Sequence, residues 1–275
     1  MAFVNLDGKL LEDAQPVLNA GNRSFRYGYG LVETMLLRDG AISLREYHWQ
    51  RLWRGLEQLK FVLPKHFTPR MLEEEVLRTA RKNGLEQLSR IRLQVFPGNG
   101  GLYDGDSFQP AFVIEALPLQ EQVTRLNENG LVLGIAEGLE KSPDQNANLK
   151  SAGGLIYAMA AQQAREQKWN DALVCNTRQH IIETSIANLF WIKNDRIYTP
   201  PLSEGCVAGV MRAWIIERAA AKGVTITEKP LPVPELMDAD EVFLTNAIRG
   251  IKWVKSVENT LFTGSATQRF SAIIF

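Results

Sequence analysis

Apolar and polar positions along the chain change period several times, and each change marks an element. Phe3, Val4, Leu6 and Leu10 stand on either side of Asp7-Gly8, which reads as two short strands joined by a turn. Residues 31–38 form an apolar strand closed by a turn at Asp39-Gly40, and Ile42-Ser43-Leu44 continues the hairpin. Over 45–59, Tyr47, Leu52, Leu56 and Leu59 recur at helical spacing. Thr68-Pro69 opens a second helix running to Lys82, with Asn83-Gly84 as its stop. Residues 89–96 alternate as a strand does, 97–101 form a loop, and 111–116 a further strand. Past the polar stretch 118–129, an apolar run opens at Leu131. A helix is expected over 154–167, with Leu155, Tyr157, Ala158, Ala161 and Ala164 along one side. Strands follow at 172–175, 180–183, 189–193 and 196–198, then a helix over 209–222 and strands at 224–228 and 241–245. This order predicts an α+β fold in two lobes: a small N-terminal domain over 1–117, a linker over 118–130, and a larger α/β domain over 131–275.

Composition narrows the class. A chain of 275 residues, 45% hydrophobic and 23% charged, matches an ordinary globular protein with room for two cores. Lysine plus arginine equals aspartate plus glutamate at 31 each, so no basic excess points to nucleic acid. Two cysteines, Cys175 and Cys206, are too few for a disulfide framework, and no Cys/His cluster suggests a metal. A reducing cytoplasm is the expected setting. The first residues lack the basic and apolar segments of a secretion signal, and no apolar run reaches the length of a membrane span.

The candidate chemistry centres on Lys150 and Glu183. Lys150 stands before the small residues Ser151-Ala152-Gly153-Gly154, at the mouth of an apolar helix, where desolvation would lower its pKa and yield a nucleophilic amine. Glu183 lies on a strand leading to Asn188-Leu189-Phe190. Such a pair suits pyridoxal phosphate: the lysine forms a Schiff base, and the glutamate keeps the pyridine nitrogen protonated. Taken singly, each is most simply a solvated charge. Arg51 offers a planar fork for phosphate oxygens. Gly205 to Arg212 leads into a helix whose free N–H groups form a phosphate cup, and Thr245-Asn246-Ala247 follows a strand with a hydroxyl and an amide. Ordinary alternatives are a solvated helix charge for Arg51, a loop-to-helix junction for the cup and an Asn-capped turn at 245–247. Gly28-Tyr29-Gly30 has Glu33 where a dinucleotide fingerprint needs glycine, and there is no P-loop, no HExxH and no triad around His48, His66 or His180.

Taken in order, these segments resemble the class IV aminotransferase family. They are Arg23 to Thr34, His48 to Leu52, Lys150 with its helix, Asp171-Ala172-Leu173, Glu183 to Phe190, Tyr198-Thr199-Pro200-Pro201, Gly209 to Arg212 and Glu241 to Ala247. The family comprises fold-type IV, D-amino acid aminotransferase-like enzymes that use pyridoxal 5'-phosphate. It includes branched-chain aminotransferases, D-amino acid aminotransferases and aminodeoxychorismate lyase. The resemblance implies that Lys150 carries the cofactor and shuttles the proton, and that Glu183 pairs with the pyridine nitrogen. It further implies that Arg51, the N–H groups at Gly209, Val210 and Met211, and the Thr245-Asn246-Ala247 turn hold the phosphate while Val207 packs on the ring. A homodimer is expected. Many aminotransferases of the family have Gly-Ile-Thr-Arg where this chain has Gly209-Val210-Met211-Arg212, and a Ser-Gly-Thr triplet where it has Thr245-Asn246-Ala247; both departures resemble the lyase branch.

The substrate is expected to rest on arginines. An Arg-x-His pair typical of D-amino acid aminotransferases is replaced by Pro97-Gly98-Asn99. Arg90 and Arg92, at i and i+2, face one side of their strand, and Arg26 with Arg90 or Arg92 forms a candidate carboxylate clamp, Tyr27 and Ala247 lying beside the substrate. The ordinary alternative is structural pairing of an arginine. The expected activity is transamination between an amino acid and an α-keto acid, with D-amino acids favoured and branched-chain L-amino acids next. An aminodeoxychorismate lyase is the rival enzyme, and a non-catalytic binding protein the third reading.

Overall fold

The computed structural model describes residues 2–98, 103 and 108–275. Asn99, Gly100 and Gly101 of the expected loop lie outside the described residues. The chain forms two compact units: Met1–Val123 with Lys150–Gly154, and Thr124–Leu149 with Leu155–Phe275. Sequence alone put 150–154 wholly in the second lobe. Its backbone instead pairs with Gly30 to Val32 of the first unit.

The first unit contains β1 (Phe3–Leu6), β2 (Lys9–Glu12), α1 (Arg23–Tyr27), β3 (Leu31–Arg38), β4 (Ala41–Ile42), α2 (Arg45–Gln58), α3 (Pro69–Lys82), β5 (Leu88–Pro97) and β6 (Pro110–Pro118). Six strands make one sheet in the order β2-β1-β6-β5-β3-β4. The alternation of β5 explains its place: Ile91, Leu93 and Val95 are fully buried, while Arg90, Arg92 and Gln94 face the other way. Leu52 and Leu56 of α2 and Leu72, Val76 and Ala80 of α3 join the buried set. Both helices keep their expected spans. α3 starts where predicted because the Thr68 hydroxyl accepts from Met71 N–H at 3.1 Å, with proline in the first turn.

The second unit contains β7 (Leu131–Lys141), α4 (Leu155–Glu166), β8 (Asp171–Asn176), β9 (Ile181–Thr184), β10 (Asn188–Lys193), β11 (Arg196–Thr199), α5 (Val210–Ala221), β12 (Ile226–Glu228), α6 (Val233–Met237), β13 (Glu241–Asn246), β14 (Gly250–Val257), β15 (Thr260–Leu261) and α7 (Ser265–Ile274). Its sheet runs β12-β11-β10-β13-β14-β7-β8-β9, and β9 pairs back onto β10. The strands from β10 round to β9 therefore close into a ring. Its core takes Leu133, Leu173, Ile181, Leu189, Leu244 and Val254, one or more from every strand of the ring. Outside it, Ala160 and Ala164 of α4 pack with Ala172, Val174 and Ile182. The face of α4 that packs is not the one expected: Ala160 and Ala164 meet the strands, while Leu155, Ala158 and Ala161 of the expected side are exposed.

α7 was not anticipated. Gly264 precedes it without a side-chain cap, and its first turn is instead held by Glu241 of β13. Glu241 accepts from Ala266 N–H (2.8 Å), Thr267 N–H (2.7 Å) and the hydroxyls of Thr263 (2.9 Å), Ser265 (3.2 Å) and Thr267 (2.8 Å). Burial pushes its carboxyl up, but these hydrogen bonds outweigh that and hold it below the ordinary value. A lowered folded pKa means that this stabilisation is present above the unfolded value and is lost as pH falls through the folded one. Glu241→Gln is expected to cost about 1–3 kcal/mol near neutral pH, shrinking in acid below the ordinary carboxylate range, as read by urea unfolding in both conditions.

Candidate functional site

Ring closure creates a polar row. Glu183 lies directly opposite Asn188, and Asn188 opposite Thr245. Opposed residues project to the same side of a sheet, so three polar side chains line one face across three strands, about 10 Å end to end. The neighbouring positions Leu189 and Leu244 point into the ring core. Alternation therefore puts the acid, amide and hydroxyl together on the outer face.

The loop before α5 lies over this row. Val207 N–H donates to Glu183 Oε2 at 2.9 Å, and Asn188 Nδ2 donates to the Val207 carbonyl at 2.9 Å. A Cβ at Gly209 would fall 1.8 Å from Asn188 Oδ1, so the approach requires glycine. α5 starts at the next residue, and no side chain caps it among the described residues. The N–H groups of its first turn have no intrahelical acceptors and suit an anion. α5 packs on β13, where the Thr245 hydroxyl is buried without a hydrogen-bond partner among the described residues. An uncapped helix start and an orphaned hydroxyl on one face fit a phosphate. The Asn246 side chain is used inside its own turn: Oδ1 accepts from Ile248 N–H (3.1 Å) and Arg249 N–H (2.8 Å), and Nδ2 donates to the Ile186 carbonyl (3.2 Å). Ala247 sits half-buried in that turn.

At the other end of the row, Glu183 is only 3% exposed. Its Oε1 accepts from the Tyr157 hydroxyl at 2.8 Å and from Lys141 Nζ at 2.9 Å. Lys141 Nζ also donates to the Tyr157 oxygen at 2.5 Å. Burial, and then the Glu183 carboxylate, hold the Tyr157 phenol well above its ordinary pKa, so it stays a neutral donor.

Lys150 opens a strap that pairs with the first unit. Its carbonyl accepts from Val32 N–H at 2.8 Å, Ala152 N–H donates to Gly30 at 2.9 Å, and Ser151 lies opposite Leu31. Gly28, at φ +64°, ends α1, and a Cβ there would lie 2.7 Å from Gly153 Cα. In the second unit, Asn148 Nδ2 donates to the carbonyls of Leu202 (2.8 Å) and Cys206 (2.7 Å), and its own carbonyl accepts from Ala208 N–H at 3.0 Å. The residues just before Lys150 thus brace the loop that carries Val207.

The remaining expected residues lie in the first unit. Arg51 grips Glu33 through Nε (2.8 Å) and Nη2 (2.6 Å), and His48 Nδ1 meets Glu33 Oε2 at 2.5 Å. Burial pushes the Glu33 carboxyl up, but Arg51 and His48 outweigh it and bring it to about 2. Arg92 is paired with Glu115 at 3.1 Å and donates to Gln94 at 2.5 Å, Gln94 in turn donating to the Ser24 hydroxyl at 2.8 Å. Arg26 donates through Nε to the Ala20 carbonyl at 2.7 Å, Tyr27 packs on Tyr103 at 4.7 Å, and Arg90 is exposed.

Sequence reading missed Lys141, Tyr157 and Asn148 as site residues, and treated Glu33 only as a broken motif. A signal existed for Glu33: an acid inside an apolar strand, with His48 and Arg51 at i and i+3 on one helix face. Among the described residues no group of His, Cys, Asp and Glu suits a metal, and no helix is long and apolar enough to cross a membrane.

Gly209→Ala is expected to lower stability by about 1–3 kcal/mol, because the methyl must displace the Asn188 amide and break its bond to Val207. In an Asn188→Ala background the same change is expected to cost less, and chemical denaturation of the four proteins of this cycle measures the coupling.

The family profile described as Amino-transferase class IV matches residues 30–257. The chain is 27% identical to the aminodeoxychorismate lyase of Vibrio harveyi over 239 residues, 86% of either chain. It is also 27% identical to the aminodeoxychorismate lyase of Bacillus subtilis (strain 168), over 99% of this chain and 92% of that one. Its fold is similar to the crystal structure of the branched-chain aminotransferase of Thermoproteus uzoniensis, with a TM-score of 0.86 at 25% identity, covering 98% of this chain and 92% of that one. With residues 30–257 matched, the chain belongs to the class IV aminotransferases, and is an enzyme of fold type IV whose cofactor is pyridoxal phosphate.

Proposed function

We propose that this enzyme is a 4-amino-4-deoxychorismate lyase. The observation that carries the reading is its likeness to two lyases of that name over 86% and 99% of its length. Met211 in the first turn of α5, where many aminotransferases place a hydroxyl, agrees with it. A preference for D-amino acids has less support, because Arg92 is engaged by Glu115 and Gln94, and Arg26 Nε by a backbone carbonyl. Amino-group transfer between an amino acid and a keto acid is the second reading, favoured by the likeness to the Thermoproteus uzoniensis aminotransferase.

The residues divide the work as follows. Lys150 binds the cofactor covalently and moves the proton at the substrate carbon. Glu183 holds a proton on the pyridine nitrogen, Val207 packs on the ring, and Gly209, Val210, Met211, Thr245 and Arg51 hold the phosphate. When bound, pyridoxal phosphate supplies the electron sink that stabilises charge at the reacting carbon. Asn246 shapes the turn from which Thr245 and Ala247 reach the ligand. A homodimer in the cytoplasm belongs to the same reading; both cysteines are free and buried, and Phe25 and Leu155 are exposed apolar side chains of the kind an interface covers.

The loaded enzyme is expected to release pyruvate from aminodeoxychorismate faster than it transfers an amino group from D-alanine, D-glutamate or L-leucine to a keto acid. Faster transfer from any of the three would replace the lyase reading with the second one. Lys150→Ala is expected to lower turnover about 10²-fold or more in the same pyruvate assay.

A further inference from the structure

We propose that Lys141 and Tyr157 are positioning residues that occupy Oε1 of Glu183 and leave a single acceptor site, on Oε2, for the pyridine end of the cofactor. The inference rests on the reading of Glu183 given above. An ionised carboxylate accepts about four hydrogen bonds. Tyr157 and Lys141 take both sites on Oε1, and Val207 N–H takes one on Oε2. One site remains, beside the loop that packs over the row.

The arrangement is assembled from three elements, β7, α4 and β9, and closes on itself through the Lys141–Tyr157 bond. β7 shifts register against β8 between Ile135 and Glu140, so that Lys141 comes opposite Asn176. A register change decides which side of a sheet a residue faces, and this one delivers the ammonium to the Glu183 side. Side-chain exposure is 14% for Lys141 and 4% for Glu183. Enclosed ion pairs are often no more stabilising than well-packed apolar pairs, so stability alone is a weak account of this one and positioning is the better one.

That task is to hold the Glu183 carboxylate in one rotamer before the cofactor arrives. Among the described residues, the titratable groups facing the carboxylate are Lys141 from β7, Tyr157 from α4 and Cys206 from the loop. Burial, then Glu183, push the Cys206 thiol up to about 12, and Tyr157 is neutral. Lys141 is therefore the cation of the set.

Lys141→Met, Lys141→Arg and Tyr157→Phe, made in the full-length enzyme, test this with and without cofactor. Lys141→Met is expected to lower the melting temperature of the cofactor-stripped protein by about 10 °C at neutral pH. Without the ammonium, the buried Glu183 carboxylate has no counter-charge, a cost that falls on its ionised form alone. Stability is then lost as pH rises, so the deficit against wild type grows from acid to alkaline pH. Lys141→Arg is expected to recover most of the loss, and added pyridoxal phosphate to narrow the Lys141→Met deficit by supplying a cation. Tyr157→Phe, which keeps the ion pair, is expected to raise the cofactor Kd about tenfold without the pH trend, and serves alone if Lys141→Met does not fold. A deficit independent of pH, equal with and without cofactor and not recovered by arginine, overturns the proposal. The pH trend without any narrowing by pyridoxal phosphate overturns its cofactor half and, with it, the reading of Glu183.

Discussion

The register in which β9 meets β10 is the constraint from which the site follows. One opposed pair, Glu183 with Asn188, closes the ring and aligns the acid with Thr245 two strands away. A slip by one residue would turn Glu183 into the apolar core that holds Ile181 and Leu189, where a carboxylate without its ammonium, phenol and amide partners is strongly disfavoured. The fold and the chemistry are thus selected by the same hydrogen-bond ladder. The Val207 loop reinforces the choice, since it bonds to both members of the closing pair.

Two buried acids of the second unit show how environment separates roles. Glu241 receives five hydrogen bonds from one helix start and carries no ammonium or guanidinium partner among the described residues. It is saturated and can only hold α7 in place. Glu183 receives three among the described residues, one of them from a lysine. In the first unit, Glu33 is locked between Arg51 and His48, which makes it a strut for α2 against β3.

What the sequence disclosed depended on the range of each interaction. α2, α3, α4 and α5 were legible because apolar spacing and local caps such as Thr68 lie within a few residues. α7 was not, because its cap comes from Glu241 on a distant strand. Lys150 and Glu183 stood out through the order of their motifs. Lys141 and Tyr157 did not, since a register break and a helix face bring them to the acid, and neither leaves a mark in residue spacing. The pairing of Arg92 with Glu115 likewise depends on how β5 and β6 align, which residue patterns do not specify.

The strap at Lys150–Gly154 has a consequence for how the chain is made. The first unit is not a continuous stretch: its strand β3 takes its partner at Val32 from residues synthesised after the linker and β7. A nascent chain that has emerged only to the linker therefore presents an unmated edge at Gly30 to Val32, the kind of edge that recruits foreign strands. The N-terminal half cannot finish until the ribosome has delivered the lysine-bearing segment. Completion of that half and delivery of Lys150 are one event in biosynthesis.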